Sequence, residues 1–508
     1  MKTNRRDALK LMGTTTAALA LGACTNQNTI TPSDDEFTQV DVVIIGAGYA
    51  GLSAAKKLQA AGKSFIILEA RDRVGGRIWT KERSDFWIDQ GGQWVNSTQE
   101  SLVDFFGGTD AFEDKTFPGT PSEGEALIIY KDTRTTAPLA RGTQNEILNL
   151  PNEVNAIGDD VLAQVQAIKD ELNRLSQRLA DFPAEPYKAE GATELDQRTF
   201  QDFILDFTTV DSAAYFLMQI YADMAYAIRP SELSLLHVLH YINAAGGFDS
   251  LDNAVEFRVH QGAQSVLNSV YEELKGNVIL ESPVRKVDST NNEAIKVYSE
   301  KGNYIGSKII LSIPTPMVAQ IQFKPALPAK RAQFNQRTPL GSTIKCHLVY
   351  DTNFLAAHGL SGIFMSDTSI LSFGTNNSVP DSPDKLILGV FINPEESRAR
   401  MDNSNDEIKE ALKVAIKEIF EPSMNDELIP DIENENIFVG NWPAEEFSRG
   451  GFASVLPTSN WTQFRMPFRE RIGNIHFAGT ETSHKWYAYM GGAVQSGSNV
   501  AEEVLEDG

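Results

Sequence analysis

Cysteine is almost missing from this 508-residue chain, which holds only Cys24 and Cys346. No disulfide framework can be built from two thiols of which one lies close to the N-terminus, so stability has to come from a packed core and from whatever that core binds. Long apolar runs are missing as well: past the first forty residues nothing approaches the roughly 20 consecutive apolar residues of a membrane-spanning helix. The seven histidines form no metal-ligand pattern. His237 and His240 share a helical face but have no acid nearby, which reads as helix packing. No G-x-S-x-G nucleophile segment occurs. Basic residues are outnumbered, 45 against 68 acidic ones, giving a net charge of −23 without a long run of either sign. A nucleic-acid partner is not expected on that balance. The acidity either draws in cations such as protonated amines or serves solubility alone.

What is present is a chain 42% hydrophobic, long enough to bury a large core and to divide into two domains. Its first segment reads as an address, not as fold. Asn4-Arg5-Arg6-Asp7-Ala8-Leu9-Lys10 precedes a modest apolar stretch, Leu11 to Ala23, and resembles a twin-arginine export signal. Leu21-Gly22-Ala23-Cys24 resembles a bacterial lipobox, with Cys24 as the lipidated first residue of the mature protein; the alternative is an ordinary signal in which Cys24 is incidental. The expectation is a signal over 1–23, a flexible tether over 24–38, and a periplasmic or cell-surface protein whose membrane contact is confined to a lipid on Cys24.

The mature part opens with Val40-Asp41-Val42-Val43-Ile44-Ile45, the β-branched run of a parallel strand buried on both faces. Gly46-Ala47-Gly48-Tyr49-Ala50-Gly51 follows, then a helical pattern from Leu52 to Ala61, then the apolar run Phe65 to Leu68 ending on Glu69. This is a complete βαβ unit of α/β type. Gly46 permits the tight turn, Gly48 lets a pyrophosphate approach the backbone, and Gly51 brings helix close to strand. The helix N-terminus offers free N–H groups to phosphate, and Glu69 is placed to accept from a ribose. Arg71-Asp72-Arg73-Val74-Gly75-Gly76-Arg77 comes next; Arg71 and Arg77 are forked donors suited to a phosphate-rich ligand, with Gly76 in the turn between them.

That second basic, glycine-paired turn resembles the signature of the flavin monoamine oxidase family, and the likeness continues in order along nearly the whole mature chain. The resemblance implies an FAD-binding Rossmann-like domain of the two-dinucleotide-binding kind with an α+β substrate domain. Asp89-Gln90-Gly91-Gly92-Gln93-Trp94-Val95 resembles the family's next flavin segment, which implies that Gly91, Gly92, Gln93 and Trp94 lie against the ring. Val284 falls where the family reads adenine through backbone groups. Gly479 and Glu481, in Phe477-Ala478-Gly479-Thr480-Glu481-Thr482, resemble the ribityl and pyrophosphate contact. Trp486-Tyr487-Ala488-Tyr489-Met490-Gly491-Gly492-Ala493 resembles the opening of the last helix, with Met490 supplying an amide to the flavin pyrimidine. Lys345, in Gly341-Ser342-Thr343-Ile344-Lys345-Cys346, falls on the family's lysine that holds a water at the flavin N5; by itself it reads as a solvated edge residue. Trp442 and Ser448-Arg449-Gly450-Gly451-Phe452 correspond to the segment that in some members carries a flavin-linked cysteine. Gly451 occupies that position, so the FAD is expected to be non-covalent. Phe452 and Tyr489 become the aromatic pair flanking the substrate nitrogen, with core packing as their alternative. Val259-His260-Gln261-Gly262-Ala263-Gln264 departs from the paired glycines common in relatives, which implies a reshaped loop or a histidine facing the flavin edge.

Helical spacing joins Val161, Val165, Ile168, Leu172, Leu175 and Leu179, and further helical runs fill Phe200 to Ile242. Ile309 to Ile313 and Thr343 to Tyr350 read as strands. The resulting division gives the FAD domain 39–114, 259–325 and 445–508, and the substrate domain 115–258 and 326–444. The activity implied is oxidative deamination of a primary or secondary amine, with hydride transfer to FAD, reduction of O2 to H2O2, and no metal. Two alternatives remain: an L-amino-acid oxidase on the same fold, with Arg449 as the carboxylate partner, and a non-catalytic surface lipoprotein built around flavin.

Overall fold

A computed structural model describes residues 36–119, 123–138, 152–466 and 468–507. Arg5, Arg6, Cys24 and most of the expected tether lie outside the described residues. The β-branched run at the start of the mature chain forms strand β1 (Phe37–Ile45), whose last four residues are buried. After the glycine turn comes helix α1 (Tyr49–Ala60), then strand β2 (Phe65–Leu68), buried throughout. β2 lies parallel to β1 in the register Val42↔Phe65 to Ile45↔Leu68. Gly51 is needed for close approach: a Cβ there would sit 2.0 Å from the carbonyl oxygen of Gly46, so α1 could not lean against its own turn.

β1 is a central strand of an eight-stranded sheet. The strand Gly302–Leu311 runs parallel on its other side, and Ile475–Phe477 joins beyond it. The stretch read as a strand from Ile309 thus ends at Leu311, where the chain turns away. The helix Met490–Glu506 packs on α1, and Gly497 makes that contact possible, since a Cβ there would fall 2.0 Å from the carbonyl oxygen of Ala50.

The second large sheet has seven strands, in the order Ile437–Asn441, Ile344–Tyr350, Leu386–Ile392, Leu371–Asn376, Leu360–Ser366, Glu125–Tyr130 and Thr133–Pro138. Its pairs are antiparallel apart from Leu360–Ser366 with Glu125–Tyr130. Helices fill the remaining layer. The six apolar residues at helical spacing are all buried along Val161–Ser176 and the short turn Gln177–Leu179. They join the helices Ala213–Tyr226 and Leu235–Ala245 in one hydrophobic cluster. Among the described residues no helix is long and apolar enough to cross a membrane.

Candidate active site

Both large sheets and the helical layer contribute to the wall of one cavity. Its first part is the βαβ turn. Gly46, Gly48 and Glu69 line it together with Val284, which opens the strand Val284–Asp288 further along the same sheet, and Gln320. Gly51 lies behind, between helix and turn, as its spacing role requires. The Glu69 carboxylate accepts the backbone N–H of Ala47 at 2.8 Å and of Arg71 at 2.9 Å, which fixes the turn and leaves lone pairs for a ligand. No side chain caps α1, so the first-turn amides and the positive end of its dipole face this part of the cavity.

The middle of the wall carries Gly76, Arg77, Gly91, Gly92, Trp442 and Gly479, with Met490 at the start of the last helix. The Tyr489 side chain does not cap that helix, but Gln99 Oε1 accepts its Gly491 amide at 2.9 Å. Arg71 lines the cavity while donating to Ser448 Oγ at 2.8 Å.

Arg77 and Glu481, both expected at the ligand, also hold each other: Nη1 to Oε1 is 2.6 Å and Nη2 to Oε2 is 3.0 Å. Nη1 donates as well to the Phe452 carbonyl at 2.9 Å, and the Nε edge of the guanidinium takes no part in these bonds. Burial alone would raise the Glu481 carboxyl, yet the Arg77 guanidinium outweighs it and holds the group below its ordinary range. Arg77 still lines the cavity; Glu481 does not, and it acts through Arg77.

Lys345 occupies the interior of the second sheet, in register with Phe391 on one neighbour and Gly440 on the other, and it is 2% exposed. The solvated-edge reading therefore fails. Its Nζ donates to the carbonyl of Gly91 at 2.8 Å and to Gln93 Oε1, so two segments far apart in sequence meet at one amine. Burial pushes its pKa down to about 7, a shift that Asp89 opposes and Arg258 reinforces. An amine holds three protons when charged, and two are committed here. Lys345 lines the cavity.

The rest of the wall is apolar. Trp94, Met224, Ala225, Phe373, Phe391 and Phe452 line it with Tyr241 and Tyr489. Phe373 stacks on Phe391 with ring centroids 4.3 Å apart, and Phe452 meets Phe391 edge-on at 6.2 Å. The Tyr241 hydroxyl donates to the Tyr489 hydroxyl at 2.9 Å. Phe373, Phe391 and Tyr241 went unnoticed in the sequence, where an aromatic in a strand or a helix looks like any core residue.

Three suspected groups are elsewhere. His260 packs against Phe117 at 4.9 Å and does not line the cavity. Arg449 is exposed, donates to the Ala444 carbonyl at 3.3 Å, and is likewise absent from the wall. His237 and His240 lie among the rings of Trp461 and Tyr487, as packing requires, and burial pushes both pKa values down. Among the described residues no group of acids, histidines and cysteines could hold a metal ion.

The model of the family described as flavin containing amine oxidoreductase matches residues 49–505. The chain belongs to that family. The flavin-containing amine oxidase of Oncorhynchus mykiss is 30% identical over 483 residues, covering 92% of this chain and 85% of the relative. An L-amino acid dehydrogenase of Synechocystis is 25% identical over 469 residues, covering 92% and 94%. The solved structure of putrescine oxidase bound to putrescine superposes with a TM-score of 0.81 at 27% identity, over 93% of this chain and 100% of the other.

As a member of this family the chain is an FAD-dependent amine oxidoreductase, with the expected α/β fold. The residues present suit FAD. The N-terminus of α1 opens on the cavity without a side-chain cap, the last helix begins there with its Gly491 amide held by Gln99, Glu69 keeps free acceptor capacity, and the backbone of Gly48 and Gly76 lines the cavity.

Proposed function

We propose that the protein oxidises amines bearing a single positive charge on an apolar body, using O2 and water and yielding a carbonyl compound, ammonia or a smaller amine, and H2O2. The carrying observation is the charge inventory of the cavity. Its charged lining residues are Glu69, Arg71, Arg77, Arg285 and Lys345; Lys345 reaches the aromatic part, its Nζ 5.7 Å from the Trp94 ring centroid and 5.5 Å from that of Phe391, and there it already donates to Gly91 and Gln93. Relatives of this chain include a putrescine oxidase and an L-amino acid dehydrogenase, so membership alone does not choose the substrate. A second ammonium would need a carboxylate and a substrate carboxylate would need a fixed cation, because an unpaired charge in a dry site is costly. No carboxylate lines the cavity among the aromatics, and the cation that does, Lys345, is held by Gly91 and Gln93. Asp223, next in sequence to the cavity residue Met224, is paired with Arg229 at 3.3 Å and does not line the wall.

FAD, when bound, supplies the oxidant, taking hydride from the carbon that bears the neutral amine and passing the electrons to oxygen. Glu69 and the α1 amides would hold its adenosine and phosphates, Val284 its adenine, and the backbone from Gly91 to Trp94, with Met490, its ring. Gly451 has no side chain to bond to the cofactor, which supports non-covalent retention. Phe452 and Tyr489 would orient the amine; cation–π terms of roughly 0.5–2 kcal/mol guide a substrate but do not supply its chemistry. Lys345 would place a proton or a positive charge where electrons pass to oxygen.

The division into an FAD domain (39–114, 259–325, 445–508) and a substrate domain (115–258, 326–444) belongs to this reading. So does twin-arginine export with lipidation at Cys24, which rests on the N-terminal sequence.

The test is peroxide release from the purified protein supplied with benzylamine, 1,4-diaminobutane or L-phenylalanine. The expected order has the first well ahead of the others by kcat/KM. Preference for the diamine or the amino acid contradicts the proposed substrate class, and the absence of peroxide with every amine contradicts the oxidase.

A further inference from the structure

Behind Lys345 lies a group of buried amides that the chemistry above leaves unused. Gln93 and Asn377 exchange hydrogen bonds through their carboxamides: Gln93 Nε2 donates to Asn377 Oδ1 at 3.1 Å, and Asn377 Nδ2 donates to Gln93 Oε1 at 3.2 Å. Gln93 Oε1 thereby faces two donors, Asn377 and the Lys345 amine. Asn377 is fully buried and tightly held. Its carbonyl accepts from Arg258 at 2.9 Å, and its Nδ2 also lies 3.4 Å from His347 Nε2. The sheet makes room for it, since a Cβ on Gly389 would fall 2.0 Å from Asn377 Nδ2.

A carboxamide can present either end to a neighbour, and the two ends act oppositely on an amine. With its oxygen forward, Gln93 favours the ammonium; with its nitrogen forward, it would set donor against donor. Nothing in Gln93 itself chooses between them. The reciprocal pair with Asn377 does so once Asn377 is itself fixed: turning both carboxamides over would keep the pair but set Asn377 Oδ1 against His347 Nε2, an acceptor in the Nδ1–H tautomer of this neutral ring.

We propose that Asn377 is a positioning residue for the oxygen-reducing half of the reaction: by locking Gln93 Oε1 toward Lys345 Nζ, it keeps that amine protonated beside the cavity. The inference rests on Lys345 being the residue next to the flavin. The other charged or titratable groups acting on Lys345 are Asp89, which favours its charge, and Arg258, which opposes it. His347 stays neutral, its pKa pushed well down by burial and by the cations Lys345, Arg258 and Lys81. Near neutral pH Lys345 is therefore balanced between its two states, where one hydrogen bond decides the population.

The experiment is a pH titration of the visible flavin spectrum in the oxidised, substrate-free holoprotein, followed by oxygen reoxidation of the reduced protein across the same pH range. Wild type should show a transition near neutral pH that Lys345→Met abolishes. In Asn377→Leu the transition should move to lower pH by about one unit, because a hydrogen bond favouring the charged form is lost. Reoxidation at pH 7 should fall several-fold and recover at lower pH. Asn377→Asp still accepts from Gln93 Nε2 and adds negative charge, so its transition should stay or move upward. An unmoved transition in Asn377→Leu overturns the proposal, and so does a downward move in Asn377→Asp, which would show a packing effect. Should the leucine variant fail to fold, the isosteric aspartate decides by direction. A wild type without a transition, or a transition that survives Lys345→Met, sinks the reading of Lys345 itself; a transition lost with Lys345 but indifferent to Asn377 sinks only the positioning role.

Discussion

The Lys345 amine donates to the Gly91 carbonyl across 2.8 Å, joining a strand of the seven-stranded sheet to the glycine pair that follows the βαβ unit. This contact buries a titratable group, and a pH dependence of stability follows. An unfolded lysine has its ordinary pKa of 10.5, and the folded one lies at about 7. The folded state thus penalises the charged form. That penalty is complete below about pH 7, where both states are protonated, and fades as pH rises toward 10.5, where neither is. Relative to Lys345→Met, which keeps the apolar stem without the charge, wild type should gain thermal stability with rising pH over this window. Unfolding temperatures of both proteins between about pH 6 and pH 9.5 check the sign; a gap that does not narrow contradicts it.

Tyr241→Phe removes the hydroxyl that donates to Tyr489. Both rings should stay packed, since Tyr241 also lies 4.7 Å from Tyr226 and 5.9 Å from Tyr489 by ring centroid. The loss amounts to one hydrogen bond between neutral groups, about 0.5–1.5 kcal/mol, or at most roughly tenfold in kcat/KM. Steady-state kinetics with benzylamine reads it. A loss of several hundredfold would give Tyr241 a direct part in the chemistry.

Glu69→Ala should weaken FAD retention through two routes: the carboxylate no longer meets the ribose, and the Ala47 and Arg71 amides lose their acceptor. Each charge-assisted bond contributes on the order of 1.5–3 kcal/mol. Flavin occupancy after gel filtration measures the effect, and full occupancy would remove Glu69 from the binding site.

Wild-type protein should release intact FAD on acid precipitation, because Gly451 offers no atom for a covalent link. Flavin that sediments with the chain would place a bond elsewhere.

The sequence was most readable where function is local in the chain. From Val40 to Glu69 the strand, glycines, helix and acid follow one another, and the structure folds them as one unit. Lys345 was readable only through its family context, because a lysine in a strand carries no sign of the sheet position that buries it. The Arg77–Glu481 pairing was not legible, because its members are 404 positions apart and each residue type alone suits a ligand. Phe373 and Phe391 meet across neighbouring strands by register. Asn377 reaches Gln93 across 284 positions, a contact that no motif announces.

In the proposed cycle an amine reduces the bound flavin and oxygen takes the electrons back with the help of Lys345. Anaerobic stopped-flow reduction by benzylamine, followed by mixing with oxygenated buffer, measures the two halves separately in wild type and in Lys345→Met. Wild type should bleach and recolour. The variant should bleach at a modestly altered rate and recolour at least about tenfold more slowly, because a positive charge that stabilises developing negative charge on oxygen is gone. Reoxidation at the wild-type rate together with a collapse of reduction would contradict the account and move Lys345 to the amine side of the reaction.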